Sequence, residues 1–205
     1  LFERLDTATK WDYVWAIVSI GATINIRVGG ILLIPYLAVY AGILFMVTNW
    51  IQKTDVKISS FVKPVLIVGV LGYLSGSLLW PYALQSPIAN PLNALHEMSN
   101  FKVNILQLFE GSKIYSGELP PYYLLKSIAI TSSYLVLIGA ALFLFFIWPF
   151  RNSPRFATIL FVAFTAFFPL FYIIYSKANV YHSWRHILFV FPSLLVVASF
   201  GWQQL

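Results

Sequence analysis

The chain has 205 residues, 60% of them apolar and 18% aromatic, with only 10% charged and no cysteine. A soluble domain carries roughly 25% charged residues to wet its surface, so this composition excludes a soluble enzyme, a disordered tail and a disulfide-stapled secreted scaffold. The net charge of +6 is spread over short basic clusters at the ends of apolar runs, where topology signals belong, and no basic run is present to track a nucleic-acid backbone.

The pattern predicts an all-α, polytopic integral membrane protein with about six transmembrane helices, near residues 11–26, 31–51, 61–80, 131–150, 157–175 and 187–202. A lone spanning segment has to satisfy its backbone internally, which a helix does. The first segment is short, at about 24 Å for its length, and contains Asp12, Thr23 and Asn25. It needs a thin region of bilayer or a helical extension into residues 1–10.

Connections alternate between short basic ones and longer mixed ones. Lys53 and Lys57 flank Asp55 in the second connection, and Arg151 and Arg155 lie in the fourth with no acid. By the positive-inside rule both are cytoplasmic, and the N-terminal stretch with Arg4 and Lys10 falls on the same side. The opposite side receives residues 27–30, the long loop 81–130 and residues 176–186.

Within the long loop, residues 91–101 read as a short amphipathic helix, with Asn90 as N-cap and Pro91 at the first helical position. Residues 104–109 read as a further turn ending at Glu110-Gly111. Leu119-Pro120-Pro121-Tyr122-Tyr123 forms a rigid aromatic approach to the next helix. The loop is expected to lie along the membrane surface and roof a cavity. The chain begins at Leu1 and stops directly after an apolar run, and is expected to be an internal piece of a longer membrane protein.

Three features on the predicted external face offer chemistry. Arg27, followed by Gly29-Gly30, is either a bidentate phosphate donor or a snorkelling interfacial side chain with a glycine turn after it. Tyr181-His182-Ser183-Trp184-Arg185-His186 places two histidines at helical i, i+4 spacing, with Tyr181 and Trp184 able to frame a pocket. This is either an anionic head-group site or a basic-aromatic belt. A metal there would need a third ligand, and no site for one is assigned; divalent-metal dependence stays open. Glu97, Glu110 and Glu118 are solvated loop carboxylates, or a general base if one is held near an acceptor hydroxyl.

Several stretches together resemble the GT-C type polyprenyl-phosphate-dependent glycosyltransferases, in particular the family 39-like group of protein O-mannosyltransferases and lipid A aminoarabinose transferases. They are Ala22-Thr23-Ile24-Asn25-Ile26-Arg27-Val28-Gly29-Gly30, Trp80-Pro81-Tyr82 with Ser86-Pro87, Phe109-Glu110-Gly111, Leu119-Pro120-Pro121-Tyr122-Tyr123, and Tyr181-His182-Ser183-Trp184-Arg185-His186-Ile187-Leu188-Phe189-Val190-Phe191-Pro192. Their order matches the middle and late helices of that fold. The resemblance implies inverting transfer of a sugar from a lipid-linked, polyprenyl-phosphate donor to a protein, lipid or glycan acceptor on the extracytoplasmic side of a membrane, by default the bacterial inner membrane. It implies that Arg27 and Arg185 hold the donor phosphate, with Tyr181, His182, Trp184, His186 and Glu110 around the pocket. The family's acidic catalytic motif has no counterpart in these residues, so no catalytic base is assigned. A transporter or a non-catalytic membrane scaffold are the alternative readings of the same helices.

Overall fold

The computed structural model describes residues 8–99 and 104–205. It is mostly helical and divides into two compact units, Leu1–Ser99 and Asn100–Leu205. Arg4, the proposed extension into the first seven residues, and the end of the expected 91–101 helix lie outside the described residues.

In the first unit, α1 (Lys10–Ile26) is opened by Thr9, whose backbone N–H donates to the Asp12 carboxylate at 2.7 Å. Asp12 is thereby explained as a capping acid, favourable at the positive end of the helix. A 3-10 turn (Val28–Leu32) leads into α2 (Leu33–Met46), which ends in a π turn (Val47–Ile51). The Asn49 amide then closes the basic connection, exchanging two hydrogen bonds with the Val56 backbone at 2.8 and 3.1 Å.

Helix α3 (Ser59–Leu78) packs on α1 through a small-residue face. A Cβ built at Gly72 would lie 2.9 Å from Ile20 Cγ2, and one at Gly76 would lie 2.8 Å from Ile24 Cβ. The four-residue spacing of these glycines is the close-approach pattern of membrane helices. Ile20, Ile24 and Val68 form the core there. The short helix α4 (Pro81–Gln85) and then α5 (Ala89–Ser99) complete the unit. Asn90 lies inside α5 and is not its cap; its side chain donates to the Tyr82 carbonyl at 2.7 Å.

The second unit adds a short hairpin to the otherwise helical fold. Residues 106–115 form a hairpin of β1 (Leu106–Phe109) and β2 (Ser112–Tyr115), paired from Leu106 with Tyr115 to Phe109 with Ser112. Glu110 and Gly111 have φ of 52° and 80°. Positive φ at both central residues is the two-residue turn whose twist suits a hairpin. The expected helical turn at 104–109 is therefore a strand, ended by the same Glu-Gly pair.

Helix α7 (Tyr134–Phe146) and the 3-10 turn Trp148–Asn152 cover the segment expected at 131–150, and helix α6 (Tyr123–Thr131) stands where the end of the long loop is expected. Ser132 and Ser133 are extended, and Ser133 caps α7 by accepting from the Leu135 N–H. Serine side chains compete for backbone groups and favour caps over helix interiors. Helix α8 (Phe156–Tyr175) follows, and a 3-10 turn (Arg185–Val190) leads into α9 (Phe191–Trp202). The core of this unit gathers Val136, Phe143, Ile159, Ala166, Leu194 and Val197 from α7, α8 and α9.

Among the described residues, four helical stretches are long and apolar enough to cross a membrane: Val28–Ile51, Ser59–Leu78, Phe156–Tyr175 and Arg185–Trp202. Helix α7 is apolar but spans only 13 residues. The outward faces of these helices are apolar too. Along α3, Leu66, Val70, Leu74 and Leu78 recur every four residues and all are exposed.

Candidate functional site

The hairpin alternates. Leu106 and Leu108 are exposed, while Gln107 and Phe109 are half-buried. The Phe109 ring meets Tyr123 edge-on with centroids 5.0 Å apart and Tyr122 at 6.0 Å. The Lys126 ammonium lies 5.4 Å from the Phe109 ring centroid and is paired with the Glu110 carboxylate. Glu110 also accepts from the Tyr122 hydroxyl at 3.3 Å. Phe-Glu-Gly and the Pro-Pro-Tyr-Tyr stretch are thus a single packed assembly, in which Glu110 acts as a tether.

The Glu110 carboxyl is held below the ordinary carboxylate range, first by the hydrogen bond from Lys126, with that ammonium's charge and the Tyr122 hydroxyl adding to it. A pKa depressed on folding contributes stability above the unfolded value and loses it as pH falls through the folded value. The group is exposed, so the effect is small. Amide protection of the hairpin should be flat from neutral pH down to the carboxylate range and fall only below it. Glu110→Gln should abolish that acid step, as hydrogen exchange across a pH series would reveal.

The segment before α9 is bound to the same assembly. The Gln107 side-chain oxygen accepts from the His182 backbone N–H at 2.8 Å and from the Tyr123 hydroxyl at 3.0 Å. Its amide nitrogen donates to the Val180 carbonyl at 3.3 Å. The Tyr123 oxygen in turn accepts from the Ser183 N–H at 2.9 Å. These bonds fasten two consecutive left-handed residues, His182 (φ 53°) and Ser183 (φ 62°). Non-glycine residues in that region are strained and persist only where their surroundings hold them.

This backbone overturns the expected helical face for His182 and His186, since the 3-10 turn begins only at Arg185. The histidines are brought together by Tyr181 instead, whose ring lies edge-on to His182 at 5.4 Å and to His186 at 4.3 Å. Trp184 is only 7% exposed. Its indole N–H donates to Thr131 Oγ1 at 2.7 Å, and its ring packs edge-on against Phe191. It anchors the segment and does not offer an open stacking face. Arg185 is exposed and forms no ion pair among the described residues. Ser132 Oγ and Ser183 Oγ, each next in sequence to a partner of the Trp184–Thr131 bond, are buried without a hydrogen-bond partner among the described residues.

Arg27 belongs to the first unit. It is exposed and extended (φ −152°) at the end of α1, with its N–H on the Thr23 carbonyl at 3.0 Å. Gly30 is required behind it, because a Cβ there would lie 2.6 Å from the Ile24 nitrogen. Among the other acids, Glu97 is exposed on α5. Glu118 is exposed on the 3-10 turn Ser116–Glu118 and borders a cavity. Among the described residues no three His, Asp or Glu side chains gather to hold a metal ion.

Gln107 and Thr131 are the residues that motif reading passed over, while Tyr123 reads there as part of an aromatic approach and not as a hydrogen-bonding partner of the turn. The signal for Gln107 is a lone polar residue within the alternating run Ile105-Leu106-Gln107-Leu108-Phe109. In comparisons with family models, curated proteins and solved structures, the chain matches none.

Proposed function

We propose that this chain is the middle-to-late part of a polytopic membrane glycosyltransferase of the GT-C, family 39-like type. It takes a sugar from a polyprenyl-phosphate donor and passes it, with inversion, to an acceptor outside the cytoplasm. One observation carries the reading. Three of the stretches on which the resemblance rests, Phe109-Glu110-Gly111, Leu119 to Tyr123 and Tyr181 to His186, are packed and hydrogen-bonded into one assembly. Apolar outward faces support a bilayer around the helices, since exposed apolar surface of this extent is unfavourable in water. Two more crossings, by α1 and by α7 with the turn that follows it, bring the four full-length spans to six.

In this reading Arg185 binds the donor phosphate. An unpaired guanidinium offers two parallel donors to phosphate oxygens, and a fixed cation stabilises charge as it builds on the leaving phosphate. The hairpin assembly sets where the guanidinium stands. Arg27 carries its own phosphate-binding proposal within the first unit. The general base is assigned to no residue of this chain.

The test is sugar transfer from a labelled polyprenyl-phosphate donor by the intact protein in membranes. Arg185→Ala should lower the rate about 100-fold or more, the usual effect of removing one preorganised charge-stabilising group, with expression and thermal midpoint retained. Wild-type transfer by well-folded Arg185→Ala overturns the assignment. Solute flux by the wild type without any sugar transfer would favour the transporter reading.

A further inference from the structure

A cavity of about 280 Å³ lies within the second unit, between the Ser116–Leu124 stretch and the end of α8. Its walls are held in place. Ser116 is buried, and its hydroxyl accepts the Ile105 N–H at 3.0 Å. Pro120 and Pro121 stiffen one side, and Tyr123 is fixed by Gln107 and Ser183. Two charged side chains line it, Glu118 and Lys177. Neither forms an ion pair among the described residues. One cavity thus presents an unpaired carboxylate and an unpaired ammonium between aliphatic walls.

Lys177 also stands where a side chain is unfavourable. Helix α8 ends with the Lys177 N–H on the Ile174 carbonyl at 3.3 Å and the Ala178 N–H on the Ile173 carbonyl at 3.1 Å. That pair of bonds is the Schellman termination, whose left-handed residue is usually glycine. Here it is a lysine with φ of 50°. A strained lysine facing a cavity is a pattern of ligand clamps. Its place, two residues beyond the end of a membrane-length helix, is the level of lipid head groups.

We infer that this cavity binds the zwitterionic head group of a membrane phospholipid of the phosphoethanolamine kind. The phosphate takes hydrogen bonds from Lys177, and the primary ammonium donates to Glu118. The apolar glycerol end lies along Pro121 and Ile173. The size fits, because the volume is near the lower bound of roughly 300 Å³ for small-molecule pockets. The site draws on neither Arg27 nor Arg185, so it stands or falls apart from the sugar-transfer reading.

The full chain, released from nanodiscs of mixed phosphatidylethanolamine, phosphatidylglycerol and phosphatidylcholine, should retain the first about tenfold over the others, the worth of one charge-assisted hydrogen bond. Phosphatidylglycerol lacks the ammonium, and the choline ammonium has no N–H to donate. Native mass spectrometry reads the retained lipid. Lys177→Gly should lower the amount of all three lipids retained while raising the thermal midpoint, because glycine suits the left-handed position. A purely structural Lys177 would leave the amount retained unchanged. Glu118→Gln should erase the preference over both phosphatidylglycerol and phosphatidylcholine, and Lys57→Gln, an exposed lysine of the first unit, should change nothing. Soluble O-phosphoethanolamine is the second probe. If it binds and the lipid is not enriched, the ligand is a soluble phosphoamine and the lipid assignment is overturned. No enrichment in the wild type, enrichment that survives Glu118→Gln, or retention untouched by Lys177→Gly overturns the site.

Discussion

Replacing Gly201 with alanine should break the α7–α9 packing and lower the thermal midpoint of the protein in detergent or nanodiscs more than any other single added methyl. A Cβ at Gly201 overlaps the Gly139 carbonyl oxygen and lies 2.8 Å from the Phe143 nitrogen and 2.9 Å from the Gly139 carbonyl carbon. All three are backbone atoms, which no rotamer change moves away. The helices have to separate, and the separation loosens Phe143 and Val197, both fully buried. Overpacking of this kind costs typically about 1–3 kcal/mol and at times more; an obstacle made of backbone places it at the upper end.

The neighbouring substitutions make that expectation specific. Gly139→Ala meets the Ala198 carbonyl oxygen at 2.6 Å and the Trp202 indole, which is itself tied to the Leu135 carbonyl. It should therefore also destabilise. The double variant should fall short of the sum, since both methyls force the same separation. Gly42, on α2, has nothing within 4 Å of its Cβ direction, and Gly42→Ala should leave the midpoint unchanged or raised, as alanine is the better helix former. Equal midpoints for Gly201→Ala and Gly42→Ala would remove the claim that α7 and α9 depend on backbone contact.

What was legible in the sequence was whatever depends on a long apolar run. Helices α1, α3 and α8 begin and end within about two residues of the expected limits, the ordinary uncertainty of helix ends, because nothing inside those runs competes with the helix. The misses cluster where a short polar signal decides the backbone. Helix α6 reads as the end of the loop, because Ser132-Ser133 separates it from α7 and its nine residues are too few to stand out as an apolar run. Glu110-Gly111 resembles a helix end as readily as a hairpin turn, and only the alternation of Gln107 and Phe109 with Leu106 and Leu108 separates the two. The left-handed pair His182-Ser183 carries no local signal, since its conformation is imposed by Gln107 and Tyr123, residues about 75 and 60 positions away. The basic-aromatic motif could be found from the sequence, but not the clamp that shapes it.

That clamp supports the second large prediction. Gln107→Leu keeps most of the side-chain volume and removes both polar atoms. The His182 N–H and the Val180 carbonyl lose their Gln107 partner, and Tyr123 keeps only its bond from Ser183. An unsatisfied backbone group costs about 1–3 kcal/mol when buried and less when water reaches it, so the left-handed pair should open locally before the unit unfolds. Hydrogen exchange on the full chain should show the His182 and Ser183 amides losing protection, with those of α8 and α9 unchanged. Tyr123→Phe removes the acceptor for Ser183 and should expose that amide most. The two substitutions together should do less than their sum, because Gln107 and Tyr123 hold one another. Rescue separates strain from mere contact. In the Gln107→Leu background, His182→Gly should recover part of the lost protection, since glycine adopts positive φ without penalty. Were Arg185 to hold a donor phosphate, Gln107→Leu should raise KM for the donor more than it lowers kcat, as the guanidinium remains present but is less fixed. Unchanged exchange at residues 182 and 183 in both single variants would mean that the turn holds itself, and the hairpin would lose its role in positioning Arg185.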